Sequence, residues 1–104
     1  MALRAYTIFS IPLREIPPDA PEAPCALEIE DRFKGPGYGV PSDDQAAFIA
    51  EVARRTGLIL DPVYTGKALY GLARLSPRPE RVLFIHTGGL PGLLAQSDDF
   101  AAFV

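Results

Sequence analysis

An α/β fold, a partial parallel sheet with flanking helices, is the architecture this sequence predicts. Three observations carry it. Residues 58–86 read as strand, turn, helix and strand, with the apolar runs 58–60 and 82–85 at the two ends. An unbroken apolar run is expected of a parallel strand covered on both faces, and the connection between two such strands is normally a right-handed crossover. Each run is followed by hydroxyl residues and glycine, Tyr64-Thr65-Gly66 after the first and Thr87-Gly88-Gly89 after the second. In open parallel sheets ligands sit at such strand ends. The third observation is a well-punctuated amphipathic helix between Ser42 and Gly57.

Taken in order, residues 1–11 have strand-like character through Leu3, Tyr6, Ile8 and Ile11. Pro12, Pro17, Pro18, Pro21 and Pro24 then exclude a regular helix or central strand from 12–24, because proline lacks the backbone donor and fixes φ. Residues 26–29 suit a short strand. The stretch 34–41, with Gly35, Pro36, Gly37, Gly39 and Pro41, is a turn that lets backbone approach a ligand or serves as a surface connector. Ser42 and Gln45 have the spacing of a capping box, and Asp43 and Asp44 complement the helix dipole. Phe48, Ile49, Val52 and Ala53 form one apolar face, while Glu51, Arg54 and Arg55 face water. Gly57 suits a left-handed cap. A second helix over 67–75 points Ala68, Leu69, Leu72 and Ala73 at the core, a proline-rich loop spans 76–80, and a short helix covers 90–95. Residues 1–27 are thus a proline-rich segment and 28–104 an α/β segment. The run 82–85 would expose its ladder edges unless neighbours cover them, so the chain reads as a piece of a larger α/β domain or as one partner of an assembly.

Bulk properties narrow the function. Apolar residues make up 48%, charged residues 22%, and the net charge is −3 with no long basic run, which disfavours nucleic-acid binding. No apolar stretch approaches the roughly 18 residues of a membrane span. The N-terminus lacks the pattern of a secretory signal, so a cytoplasmic setting is expected. Cys25 has no second thiol for a disulfide, and one histidine with one cysteine supplies no transition-metal site.

The strings GPGYG (35–39), DPVYTGKALYGL (61–72) and FIHTGGLPGLLA (84–95), in this order and with these flanking helices, resemble the C-terminal part of one enzyme family. That family is the pyridoxal-phosphate-dependent D-cysteine desulfhydrases and 1-aminocyclopropane-1-carboxylate deaminases, and the resemblance covers roughly residues 28–96. It implies a fold-type II enzyme in which a two-domain α/β body clamps pyridoxal 5'-phosphate and acts on a small amino acid by elimination or ring opening. Thr65 matches the position facing the pyridine nitrogen of the coenzyme, where a threonine hydroxyl donates to an unprotonated nitrogen. Deaminases carry Glu there. Thr87, beside Gly88, matches a second discriminating position, Leu in deaminases and Thr in desulfhydrases. Both residues point to the desulfhydrase, which converts D-cysteine to pyruvate, sulfide and ammonia. Thr65, Thr87 and Gly88 are the cofactor-binding candidates. Tyr38 and Tyr64 match tyrosines on the substrate side and are the catalytic candidates, since a phenol can bind a carboxylate or relay a proton if its pKa is lowered.

Without the family, Thr65 and Thr87 are ordinary turn and cap residues and the tyrosines half-buried with wet tips. His86 is read as a hydrogen-bonded core residue and Lys67 as structural. The family's coenzyme-binding lysine lies far upstream, and neither Lys34 nor Lys67 matches it. The chain by itself is therefore expected to be inactive. A complementing chain, a homo-oligomer, or a non-catalytic module using the inherited surface are the implied alternatives. Tyr38, Tyr64, Thr65 and Thr87 are expected to converge on one side of the sheet.

Overall fold

The computed structural model describes residues 4–8, 26–77 and 80–103. The proline region 12–24 and Cys25 lie outside them. β1 (Arg4–Ile8) and β2 (Ala26–Glu30) pair in parallel, Arg4 opposite Ala26 through Ile8 opposite Glu30. β1 falls where Tyr6, Thr7 and Ile8 supply aromatic and β-branched residues, and β2 alternates Leu27 and Ile29 with Glu28 and Glu30.

α1 (Asp43–Thr56) follows its sequence punctuation closely. Ser42 Oγ accepts from the Gln45 amide at 3.2 Å, and Gln45 Oε1 accepts from the Ser42 amide at 2.9 Å, completing the capping box. Such a cap contributes about 1 kcal/mol. Gly57 ends the helix with φ of 76°, a left-handed conformation in which a side chain would be strained. α2 (Thr65–Arg74) lies against α1 and β1. α3 (Leu90–Ala95), α4 (Ser97–Phe100) and a 3-10 turn (Ala101–Phe103) follow.

Ile49 and Ala46 of α1 meet Leu60 and Phe100 in a small core, with Phe48, Val52, Leu69, Phe84 and Leu93 around it. Against the core, Arg74 stacks 3.5 Å over the Tyr70 ring, whose edge meets Phe48.

Two expectations are corrected. Residues 58–60 and 82–85 are not strands, so the parallel sheet expected from them does not form, and the described residues are mostly helical. A strand needs a neighbour to hydrogen-bond, and the only sheet among the described residues is β1–β2. Leu60 and Phe84 still turn inward, whereas Leu83 and Ile85 are 88% and 73% exposed. The second correction concerns α2, whose buried residues are Thr65, Gly66, Lys67 and Gly71, while Ala73 stands in solvent. Gly66 on that side lets the α2 backbone come close to Ile49, which a larger residue would prevent.

Candidate active site

The Gly-rich loop 34–41 has few side chains of its own to hold it, so its carbonyls are held from outside. Gln45 Nε2 donates to Phe33 O at 2.8 Å. Lys67 Nζ donates to Lys34 O at 2.6 Å and to Gly37 O at 2.8 Å. Gln96 Nε2 donates to Gly39 O at 2.8 Å. Two helices and the turn residue Gln96 between α3 and α4 thus each supply a donor to this loop or to the residue just before it, and Tyr38 sits between the anchored Gly37 and Gly39 carbonyls. Lys67 is fully buried, and this burial holds its ammonium below the usual lysine range. The structural role read for Lys67 is the one it plays.

The second turn is organised by Asp61, which sequence reading passed over. Its carboxylate accepts from the amides of Val63 at 2.8 Å, Tyr64 at 2.6 Å and Thr65 at 2.9 Å, and from the Thr65 hydroxyl at 2.5 Å. Burial pushes the carboxyl up, but the Thr65 hydroxyl and the three amides outweigh it and hold Asp61 below the usual range. Asp61 therefore supplies the acceptor that the first turn of α2 lacks at Tyr64, where no side chain caps the helix. The Asp61-Pro62 pair was the available signal, since Asp-Pro favours turn initiation.

The third turn reaches the same place. Gly88 N–H donates to His86 Nδ1 at 3.0 Å, so the other ring nitrogen carries the hydrogen and donates to Ile59 O at 2.7 Å. His86 is hydrogen-bonded as expected but exposed, so it is not a core residue. Gly89 has φ of 95°, and a Cβ there would collide with the Asp61 carboxylate.

Tyr38 and Tyr64, 26 positions apart, meet with their phenol oxygens 2.5 Å apart and their rings edge to face at 6.1 Å. One phenol donates to the other, which leaves a single hydroxyl hydrogen for a third group. Tyr64 titrates above the usual range, first through the hydrogen bond to Tyr38, then through desolvation and the nearby charges of Tyr38 and Asp61. This shift favours the protonated phenol, which can donate a hydrogen bond, over a base. Thr65, next in sequence, is buried, with its hydroxyl on Asp61, whereas Thr87 and Gly88 are exposed.

As a coenzyme face this set fits in part. The phenol pair and Thr87 are open polar groups able to meet a ring or a carboxylate, and Thr65 has its proton already engaged. An open apolar groove of about 350 Å³ lies elsewhere, between α1, residues 59–60, Leu93 and Phe100, and includes none of these residues. Among the described residues no helix is long and apolar enough to cross a membrane, and no group of His, Cys, Asp and Glu is placed to hold a metal.

No family model and no solved structure matches the chain. A Thermotoga maritima protein that carries the provisional name 1-aminocyclopropane-1-carboxylate deaminase is 51% identical over 72 residues, covering 68% of this chain and 23% of that protein. A bifunctional D-cysteine desulfhydrase/1-aminocyclopropane-1-carboxylate deaminase from Arabidopsis thaliana, named as mitochondrial, is 44% identical over 77 residues, covering 68% of this chain and 19% of that protein. The chain therefore spans about a fifth of the length of these relatives. It is homologous, as a fragment, to the 1-aminocyclopropane-1-carboxylate deaminase and D-cysteine desulfhydrase family.

Proposed function

We propose that the chain is the C-terminal portion of a pyridoxal-phosphate-dependent, D-cysteine desulfhydrase-like lyase of fold type II. The parent reaction takes D-cysteine and water to pyruvate, sulfide and ammonia by β-elimination. The observation that carries the reading is the 2.5 Å contact between Tyr38 and Tyr64, which joins two of the three family-like strings at one exposed spot. Pyridoxal phosphate, when bound, supplies the electron sink for a carbanion next to the substrate nitrogen. The phenol pair, with its one outward hydrogen, orients the substrate carboxylate. Thr65, Thr87 and Gly88 are the residues that would hold the coenzyme, by their match to the family's strings. Threonine at both 65 and 87 favours thiol elimination over opening of a cyclopropane amino acid, which is the alternative activity. The lone Cys25 fits a reducing, cytoplasmic compartment.

The covalent coenzyme lysine comes from polypeptide corresponding to the remaining length of the relatives. Mixed with pyridoxal phosphate and reduced with borohydride, the 104-residue chain should show no stoichiometric adduct at Lys34 or Lys67 and no turnover of D-cysteine. A stoichiometric adduct at Lys67 with turnover would overturn this. Co-expression with the upstream portion of a relative should restore elimination of D-cysteine in preference to cyclopropane ring opening. The opposite preference would reassign the chain to the deaminases.

The exposed Leu83 and Ile85 favour a second reading, a non-catalytic module that associates with itself or a partner chain. Under either reading the isolated chain should elute from gel filtration above monomer size or melt without a sharp transition. A monomer with a cooperative melt well above ambient temperature would argue for a self-contained domain.

A further inference from the structure

Asp61 is 2% exposed, and the proposed chemistry gives it no task. Its neighbours say what it does. A threonine hydroxyl has one hydrogen and two lone pairs, and an ionised carboxylate only accepts. At 2.5 Å from Asp61 Oδ2, the Thr65 hydroxyl must therefore donate to it. The Asp61 amide donates back to Thr65 Oγ1 at 2.8 Å, which takes one lone pair and leaves one. The same carboxylate takes the Val63, Tyr64 and Thr65 amides, and Gly89 packs so closely on it that no Cβ fits between them.

We infer that Asp61 is the positioning residue of this site: it sets the turn that brings Tyr64 to Tyr38, seats the turn carrying Thr87, and draws the Thr65 proton inward. This inference does not rest on the functional reading above.

The test uses the chain alone. In an isotopically labelled sample the Asp61 carboxyl carbon should titrate below the ordinary aspartate range. The Thr65 hydroxyl proton should exchange with water more slowly than a free hydroxyl, by on the order of tenfold or more. Thr65→Val, which keeps the shape and removes the donor, should move the Asp61 titration upward, and Thr65→Ser should restore it. Asp61→Asn places an amide donor where the Thr65 N–H now points, so the proton contacts between the Tyr38 and Tyr64 rings should weaken. An Asp61 titration unmoved by Thr65→Val would overturn the inference, as would an Asp61→Asn chain that keeps both the tyrosine contacts and the slow hydroxyl. If Asp61→Asn does not fold, the unsubstituted chain and the two threonine variants still decide. None of these readouts needs a coenzyme, so their failure leaves the proposed function standing, and failed reconstitution leaves Asp61 standing.

Discussion

Lys67→Met should lower the stability of the folded chain by about 2–4 kcal/mol, read as a shift in the urea midpoint with an unchanged slope. Two effects oppose each other. Methionine removes a desolvated ammonium, which relieves the chain of a buried charge. It also leaves the Lys34 and Gly37 carbonyls without the donors that now sit 2.6 and 2.8 Å away. An orphaned acceptor costs about 1–3 kcal/mol when buried, and these two, part-buried, together exceed the relief because the ammonium is already compensated by those same bonds. The loss should be felt at the site. Tyr38 follows Gly37 directly, so releasing the loop should separate the phenols and return the Tyr64 titration toward the ordinary tyrosine range. A Lys67→Met chain of unchanged stability, with Tyr64 still titrating high, would mean that Gln45 and Gln96 hold the loop without it.

Gly66→Ala should be at least as damaging, about 3 kcal/mol or more, because the new methyl group meets the Asp61 carbonyl oxygen and the Ile49 side chain at impossible distances. Ile49 lies in the core and the Asp61 carbonyl accepts from the Gly66 amide at 2.8 Å, so neither can yield without breaking something else. The controls are Gly92→Ala, where the nearest atom is an ordinary 3.7 Å away, and Gly37→Ala, where nothing lies within 4 Å. Gly92 is inside α3, where alanine is worth up to about 1 kcal/mol in helix propensity, so that variant should be neutral or stabilising. Thermal melts of the three variants give the ranking. Equal losses at Gly66 and Gly92 would refute the close approach of α2 to the Asp61 turn.

The capping box at Ser42 and Gln45, the left-handed Gly57 and the short helix 90–95 were all legible in the sequence. Each depends on bonds between residues a few positions apart, so local spacing suffices to specify it. The family strings were legible for a similar reason, since each is a short contiguous motif. The strands were legible only in part: 4–8 and 26–30 fall in runs that read as strand-like, whereas two other expected strands do not form. The runs 58–60 and 82–85 have strand composition, but a strand is completed by a neighbour, and the described residues offer them none. Asp61 escaped notice because its importance lies in how many groups converge on it, from Val63 to Gly89, and convergence is not a property of any one segment. The same holds for Lys67 and Gln96, whose partners lie 30 to 57 positions away. By itself the sequence determined the first helix with both its caps, the short helix 90–95 and the resemblance to one enzyme family, because those follow from local backbone chemistry and contiguous motifs. Only the tertiary structure decided that the two phenols meet, that Lys67 pins a loop and that the Thr65 proton turns inward, because a buried polar group takes whichever partner the packing brings within hydrogen-bond reach.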